Sequence, residues 1–401
     1  MDNEKNFSWP VTSINREDYE AFCKWYEENE QIIHNHQVVI WGAGIRGTMF
    51  SIFFKRKGFY NLLFVDSNAQ KWGGYIDEFE IISPEELEKQ RESIKRIILI
   101  STENSRDIEF ELEQKKYCRN KDYFIVRTDL YEKYVAEFLR DYDKKTLIMG
   151  DCEFSTISIH DKDDRNLREM ILDYCGKDTT KVLAMHGMGL RAHYNIFHAQ
   201  IINGMKPDCL MIMINFDTLT GKQHLLPRSQ HSELLELLFM KMKKREKEFE
   251  EYIFVTKERR KQVQMEFFTG NRKKGGSTEA KCRNYFKLNY LYDLDLSTEG
   301  IVYLKRIFEE ASKEGIKVIP FIPPVNYKLG RKIYGEEFDQ RYGSNVRKVK
   351  ELAEGYGWRL LDMSYCLEPE MFAEPTTADE TANERGRERI VGLLCDAIKE
   401  M

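Results

Sequence analysis

The chain has 401 residues, which is too long for one ordinary hydrophobic core, so two domains are expected. Hydrophobic residues make up 42% of it and charged residues 32%, as in globular proteins, and only 9 prolines argue against long disordered stretches. A formal net charge of −5 gives no reason to expect nucleic acid as a partner.

The targeting and cysteine patterns point to the cytoplasm. Residues 1–18 contain neither a basic start nor an apolar stretch, so we do not interpret them as a signal peptide. No apolar run approaches the roughly 20 residues of a membrane span. The eight cysteines form no CxxC pair and no zinc-like spacing, which predicts neither a disulfide framework nor a structural metal.

A glycine-rich turn follows the first apolar run of the chain. Residues 37–40 are expected to form a buried strand, the pattern GAGIRG follows at positions 42–47, and an apolar helical stretch continues to residue 57. A second apolar run, residues 62–65, ends in Asp66. Strand, glycine pattern, helix, strand and acidic residue is the order of a dinucleotide-binding fold.

Each residue of this pattern has a chemical role in nucleotide binding. Gly42 permits the tight turn, Gly44 lets the backbone approach a pyrophosphate, and Gly47 lets the helix pack closely on the sheet. The helix N-terminus offers unpaired N–H groups to phosphates. Asp66 is predicted to accept hydrogen bonds from a ribose diol. The cofactor or ligand predicted here is a nucleotide or a nucleotide-sugar.

The segments WGAGIRG, FVDSNAQKWGG and IISPEEL, within residues 37–126, resemble the N-terminal Rossmann-like domains of sugar acyltransferases and related sugar-modifying enzymes. This resemblance implies a unit that binds nucleotide-sugars or serves for docking. Two alternatives stay open: the fold is retained only for architecture, or the domain binds a dinucleotide cofactor and is itself the working half of the protein.

The second half of the chain repeats the alternation of apolar strands and helices. A polar stretch at residues 141–145 marks the predicted boundary, so the domains are expected at 1–145 and 146–401. Apolar runs at residues 146–149, 210–214, 318–322 and 359–361 are predicted strands, and residues 386–398 a closing helix. The fold class predicted is therefore two doubly wound α/β domains.

The order of motifs in this half resembles the SGNH/GDSL hydrolase superfamily, and especially its D-alanyl-transfer branch. The segment GDCEFS stands where the family has its nucleophile, with Asp151 before Cys152. Gly187, in the segment HGMG, matches the block that supplies an oxyanion-hole N–H, and Asn215 matches the oxyanion-hole asparagine. These correspondences imply a C-terminal hydrolase-like domain of flavodoxin-like, three-layer architecture.

The closing motif departs from the family. The segment ADETANERG retains Asn383 and Gly386 of the family pattern, but Thr381 stands where the family has its histidine. No histidine follows His231 in the chain. His186 or the later His231 is therefore the candidate for a replacement base and Asp379 for its orienting acid, and a thiol nucleophile needs less activation than a hydroxyl.

Two functions follow from these residues. The first is an SGNH-type esterase or acyltransferase that acts on a surface-glycan precursor in the cytosol, with Cys152 as nucleophile. The second is a non-catalytic ligand-binding or scaffold protein of polysaccharide biosynthesis, which the missing histidine favours. The partners predicted are a small molecule or glycan precursor, without nucleic acid or a membrane span; a second copy of the chain or a carrier protein stays open.

Overall fold

The computed structural model describes residues 11–102, 105–126, 130–141, 143, 145–220, 231–247, 249, 251, 278–378 and 380–400. Contacts group the chain into two compact units, residues 1–128 and 129–401. In the described part, no helix combines the length and apolar character needed to cross a bilayer.

The first unit is built on a six-stranded sheet. In chain order its strands are β2 (Gln37–Trp41), β3 (Leu62–Val65), β4 (Gly74–Ile76), β5 (Phe79–Ile82), β6 (Arg96–Ile100) and β7 (Tyr123–Ile125); β1 (Ser13–Asn15) lies outside this sheet. The spatial order is β4-β5-β3-β2-β6-β7, with only β4 antiparallel to its neighbour. Without that edge strand the order is 3-2-1-4-5, that of doubly wound dinucleotide-binding sheets.

Helices cover this sheet because its strands are apolar on both faces. They are α1 (Arg16–His34), α2 (Ile45–Arg56), α3 (Pro84–Lys89) and α4 (Arg106–Gln114). Phe22 of α1 packs against the rings of Phe50, Phe53 and Phe54 of α2, at centroid distances of 4.9 to 5.9 Å. Leu112 of α4 belongs instead to the core formed with the alternate residues of the strands.

The second unit contains a five-stranded sheet in which every strand pair is parallel. Its strands are β8 (Thr146–Gly150), β10 (Thr180–Ala184), β11 (Cys209–Met213), β12 (Lys317–Ile322) and β13 (Leu361–Asp362), and the short β9 (Thr156–Ser158) lies outside it. The spatial order β10-β8-β11-β12-β13 is 2-1-3-4-5 in chain order. This is the flavodoxin-like doubly wound order.

Successive residues of the central strand face two different helix layers, as the pleat requires. Leu147 and Met149 join one core with α5 (Leu130–Leu139) and α7 (Leu190–Ile202), whereas Ile148 joins the other with α6 (Leu167–Cys175). The remaining helices are α8 (Ser232–Lys241), α9 (Thr278–Asn289), α10 (Glu299–Glu314), α11 (Tyr327–Tyr334), α12 (Glu336–Gly355) and α13 (Glu384–Lys399). The predicted fold class, two doubly wound α/β domains, is confirmed.

The division between the units falls before α5, whereas the sequence analysis placed the boundary after residue 145. Tyr134, Val135 and Phe138 of α5 are buried in the core of the second unit, together with Leu147 and Leu183 of its sheet. Helix α5 therefore belongs to the second unit together with β8.

Candidate functional site

Parallel strand order places three sequence motifs at one edge of the second sheet. Asp151 and Cys152 follow β8 directly, the loop with Gly187 follows β10, and Asn215 lies two residues beyond β11. Because the chain leaves β8 for β10 on one side and later returns to β11 on the other, the switch point of the topology lies between β8 and β11. Doubly wound sheets bind ligands outside the strand ends at this point.

Asp151 is the buried centre of this edge. Its residue is 5% exposed, and its carboxylate accepts hydrogen bonds from the Glu153 N–H at 3.2 Å and from the side-chain amide of Asn215 at 3.2 Å. The Cys152 thiol lies beside the same carboxylate and also favours its ionised form. Burial raises the pKa of Asp151, and these three groups oppose the shift because they stabilise the ionised form.

Cys152 lies on an exposed single turn of 3-10 helix, residues Cys152–Phe154, rather than at the start of an α-helix. Desolvation by the surrounding protein raises the pKa of the thiol well above its ordinary value, and the carboxylates of Asp151, Glu153, Asp217 and Glu380 raise it further. Since Cys152 is exposed, we attribute more weight to the carboxylates than to desolvation. The thiol is therefore neutral at physiological pH, which differs from the activated thiolate that a catalytic cysteine usually needs.

Glu380 is a residue of this site that the sequence analysis did not select. Burial raises the pKa of its carboxyl well above the ordinary value, and the charges of Asp217 and Asp151 add to the shift. The phenol of Tyr285, on α9, is close to the same negative charges. The charge of Glu380 is the largest cause of its raised pKa, followed by burial. The sequence signal for Glu380 was its position. It directly precedes Thr381, the position at which a histidine was expected.

The histidine at the wall of the site is His193 on α7. Its Nε2 atom lies 3.2 Å from the Gly150 carbonyl oxygen, and the residue lines the same small crevice as Asp151 and Asn215. Burial lowers the pKa of His193 to about 4, so the imidazole is neutral at physiological pH. Its Nδ1 atom has no hydrogen-bond partner among the described residues.

The other predicted groups have different surroundings. His186 and Gly187 form the turn after β10, where Gly187 has a φ of +66° that favours glycine. The His186 carbonyl accepts a hydrogen bond from His231 Nε2 at 2.9 Å, and the two rings lie 5.6 Å apart. Thr381 is buried, with its hydroxyl oxygen 3.4 Å from that of Thr156. Asp379 lies outside the described residues.

A buried ion pair positions the loop that carries Glu380. Asp161 and Arg387 pair with side chains only 3% and 1% exposed, and Arg387 also donates to the carbonyls of Ala382 and Asp163. Asp161 further accepts from the N–H groups of Ser158 and Glu384. The start of α13 is therefore tied to the segment that follows Cys152.

The glycine loop of the first unit has the backbone geometry that the pattern predicts. Gly42 has a φ of +120°, and a Cβ atom there would lie 2.7 Å from Ser101 Oγ. A Cβ on Gly47 would lie 2.0 Å from the Gly42 carbonyl oxygen, whereas nothing lies within 4 Å of that position on Gly44. Gly42 and Gly47 are thus needed for packing, and Gly44 leaves the loop open to a neighbouring group.

Asp66 contacts the glycine loop itself. Its Oδ2 atom accepts the Ala43 N–H at 2.8 Å and pairs with Lys71 at 2.7 Å, while Oδ1 accepts the Asn68 N–H at 2.9 Å. The Lys71 ammonium also donates to the Ala43 carbonyl at 2.7 Å. In this structure the Asp66 carboxylate holds the loop, which is a different role from the predicted contact with a ribose.

The fold and site define the second unit as a flavodoxin-like α/β unit with a polar site, rich in carboxylates, at its switch point. Among the described residues, no three His, Cys, Asp or Glu side chains are placed to hold a metal ion.

No protein-family model matches the chain, and no curated protein matches it. Two solved structures are similar to 68% of it: a protein assigned as an acylhydrolase from Bacteroides fragilis and a GDSL-like lipase from Bacteroides thetaiotaomicron. Each is 12% identical, the TM-scores are 0.36 and 0.35, and the matches cover 99% and 98% of those chains. Similarity at this level assigns neither a substrate nor a reaction to the chain.

Proposed function

We propose that the second unit hydrolyses or transfers an acyl group carried as an ester, with Cys152 as the nucleophile. The observation that carries this proposal is the arrangement at the switch point, where Cys152 directly follows Asp151 beside its carboxylate and Asn215 donates a hydrogen bond to that carboxylate. A nucleophile within hydrogen-bond reach of a base that a third residue orients is the arrangement of nucleophilic catalysis.

The acyl-transfer step needs a proton acceptor and a proton donor. The Cys152 sulfur attacks the ester carbonyl carbon while its proton passes to Asp151, and the carbonyl oxygen becomes an oxyanion. The amide of Asn215 and the backbone N–H groups at Cys152 and Gly187 are the donors for that oxyanion. When the intermediate collapses, the carbon–oxygen bond to the alcohol breaks, and Glu380 gives the alcohol its proton. Water or an acceptor alcohol then attacks the thioester carbonyl carbon and gives its proton to Glu380; the carbon–sulfur bond breaks, and the Cys152 sulfur takes its proton back from Asp151.

The environments of the two carboxyl groups support these separate roles. Burial raises the pKa of Asp151, but the donors around its carboxylate limit that shift, so Asp151 is the better proton acceptor of the two. Glu380 is raised well above its usual pKa by burial and by the neighbouring acids, as a proton donor at neutral pH requires. Two carboxyl groups whose surroundings separate their pKa values are the usual basis of an acid–base pair.

For the substrate we propose a surface-glycan precursor, and for the first unit a bound nucleotide or nucleotide-sugar. The support for the second part is the glycine loop, because Gly44 leaves its backbone accessible and α2 begins there without a side-chain cap. Because Asp66 is hydrogen-bonded to the loop, we assign the phosphate groups rather than the ribose as the main point of recognition.

Short p-nitrophenyl esters test the proposed reaction. The wild-type protein is expected to release p-nitrophenol and to carry one acyl group on Cys152, detectable by intact-mass measurement. Cys152→Ala should lose both signals, and Asp151→Asn should slow acylation by roughly the 10²–10⁴-fold typical of a lost general base. Cys118→Ala, a change at an exposed cysteine of the first unit, is the matched control and should behave as wild type.

A non-catalytic ligand-binding protein is the second candidate, and the raised pKa of Cys152 favours it. The four acidic side chains around the thiol oppose a thiolate, and the histidine that would normally stabilise one is replaced by Thr381. If no ester is turned over and no acyl group accumulates on Cys152, this candidate replaces the first. Hydrolysis that persists in Cys152→Ala would show that the site acts without the proposed nucleophile.

A further inference from the structure

Two cysteines distant in sequence meet on neighbouring helices of the second unit. Cys175 is the last residue of α6 and Cys395 lies in the last turns of α13, and both belong to the core on one face of the sheet. Both are free thiols in the same packed core, and each lies close enough to the other to be the largest influence on its pKa.

A second contact between the same helices confirms their register. The Lys399 ammonium lies 3.3 Å from the Tyr174 hydroxyl oxygen and 4.7 Å from the centre of its ring. Lys399 stands four residues after Cys395, so the two side chains share one face of α13, and Tyr174 directly precedes Cys175. The lysine contact therefore shows that α6 and α13 pack together at the level of the two cysteines.

We propose that Cys175 and Cys395 are a peroxide-sensitive pair that forms a reversible disulfide between α6 and α13. This modification site is separate from the site at Cys152, and it does not rest on the proposed acyl chemistry. Cys175 is partly exposed and Cys395 is 1% exposed, so an oxidant reaches Cys175 first.

The pKa shifts of the two thiols also indicate that Cys175 reacts before Cys395. The interaction with Cys395 lowers the pKa of Cys175, and the ammonium of Lys399 contributes in the same direction. The same interaction with Cys175, followed by burial, raises the pKa of Cys395. Since the thiolate is the form that reacts with peroxide, Cys175 is the attacking sulfur and Cys395 the resolving one.

The chemistry takes one peroxide molecule and two thiols. The Cys175 sulfur attacks a peroxide oxygen, the oxygen–oxygen bond breaks, and the hydroxide that leaves takes a proton to become water. The resulting sulfenic acid is attacked by the Cys395 sulfur, the sulfur–oxygen bond breaks, and a second water leaves with the Cys395 proton. The two sulfurs together are oxidised by two electrons, which the peroxide accepts. Closing the bond requires the sulfurs to approach to about 2.05 Å.

Peptide mapping of the full chain after mild treatment with hydrogen peroxide tests this proposal. The reduced protein is oxidised, its remaining thiols are blocked with N-ethylmaleimide, and it is digested without reductant. We expect a cross-linked peptide pair joining Cys175 to Cys395, and a fall in free thiols from eight to six. Dithiothreitol should restore all eight.

Variants distinguish the roles of the two sulfurs. In Cys395→Ser the sulfenic acid on Cys175 should persist and react with dimedone, and in Cys175→Ser no cross-link should form. Cys366→Ser is the matched control, because Cys366 is also partly exposed and burial raises its pKa to about 11. In the Cys366→Ser protein, the cross-link between Cys175 and Cys395 should form as in the wild type. Oxidation of Cys118 or Cys152 without the 175–395 cross-link would overturn the proposal, as would dimedone labelling of Cys175 in the wild type.

Discussion

The side-chain amide of Asn215 lies 3.2 Å from the carboxylate of Asp151, although the two residues are 64 positions apart in the chain. Neighbouring parallel strands bring them together, because β8 ends one residue before Asp151 and β11 ends two residues before Asn215. Asn215 also accepts the N–H of Asp217 at 3.3 Å through its other side-chain atom, so its amide has a defined orientation. This pair fixes the carboxylate beside which the Cys152 thiol lies.

The first prediction concerns the reactivity of Cys152. Because Asp151 contributes to the raised pKa of the thiol, Asp151→Asn should lower that pKa and speed alkylation by iodoacetamide at pH 7, by roughly tenfold for each unit of the fall. Rates followed by peptide mapping against pH measure the effect. The exposed Cys118 is the internal reference, and its rate should not change. A thiol already alkylated faster than Cys118 in the wild type would contradict the electrostatic argument.

The second prediction separates packing from ligand binding in the glycine loop. Gly47→Ala should destabilise the first unit, because the added Cβ would collide with the Gly42 carbonyl oxygen at 2.0 Å. Gly44→Ala is the matched change, since it meets nothing within 4 Å and its φ of −130° suits any residue. It should destabilise the unit far less than Gly47→Ala, by no more than an alanine in place of glycine at the N-cap of α2 costs, yet weaken binding of a nucleoside diphosphate or nucleotide-sugar in calorimetry. Equal binding by wild type and Gly44→Ala would rule out phosphate recognition at this loop.

The third prediction concerns the buried pair Asp161 and Arg387. Asp161→Asn or Arg387→Met alone should lower the free energy of unfolding by about 3–5 kcal/mol, because each leaves an uncompensated buried charge. The double variant should lose less than the sum of the two, as measured by urea denaturation in a double-mutant cycle. Additive losses would show that the two groups do not interact as the structure indicates.

The fourth prediction is a pH dependence of stability at His198. Hydrogen bonds to Glu310, and to Glu246 at 2.8 Å, raise its pKa to about 9, from an ordinary value near 6.5. The folded state therefore holds a proton that the unfolded chain releases, so this stabilisation is complete below about pH 6.5 and is lost as pH rises through about 9. Because Glu246 is half exposed, we expect only roughly 1 kcal/mol.

The measurement is the difference in unfolding free energy between wild type and His198→Gln at pH 6 and at pH 10. This difference is needed because burial also lowers the pKa of Lys181 to about 8, which acts on stability in the opposite direction over part of the same range. Lys181 is common to both proteins, so its contribution cancels. A difference that stays constant from pH 6 to pH 10 is inconsistent with a protonated His198 between the two glutamates.

The sequence by itself determined the elements whose signal is local. Short apolar runs marked most of the sheet strands, and the glycine pattern at 42–47 located the turn before α2, because a missing Cβ is a requirement of the backbone at that point. Motifs placed at strand ends were brought to one edge of the second sheet, since parallel strands align their carboxyl ends. The fold class and the neighbourhood of Asp151, Cys152 and Asn215 followed from these patterns.

Tertiary structure alone decided which groups meet and in what electrostatic state. Glu380, from a distant loop, and Tyr285, from α9, interact electrostatically with Cys152. In the first unit, Asp66 pairs with Lys71 and with the glycine loop. The unit to which α5 belongs is decided by Tyr134, Val135 and Phe138, which pack in the core of the second unit. Cys175 and Cys395 look like isolated cysteines in the sequence, because their contact depends on the packing of α6 against α13. A pKa or a contact depends on the distances between residues far apart in the chain, and only packing sets those distances.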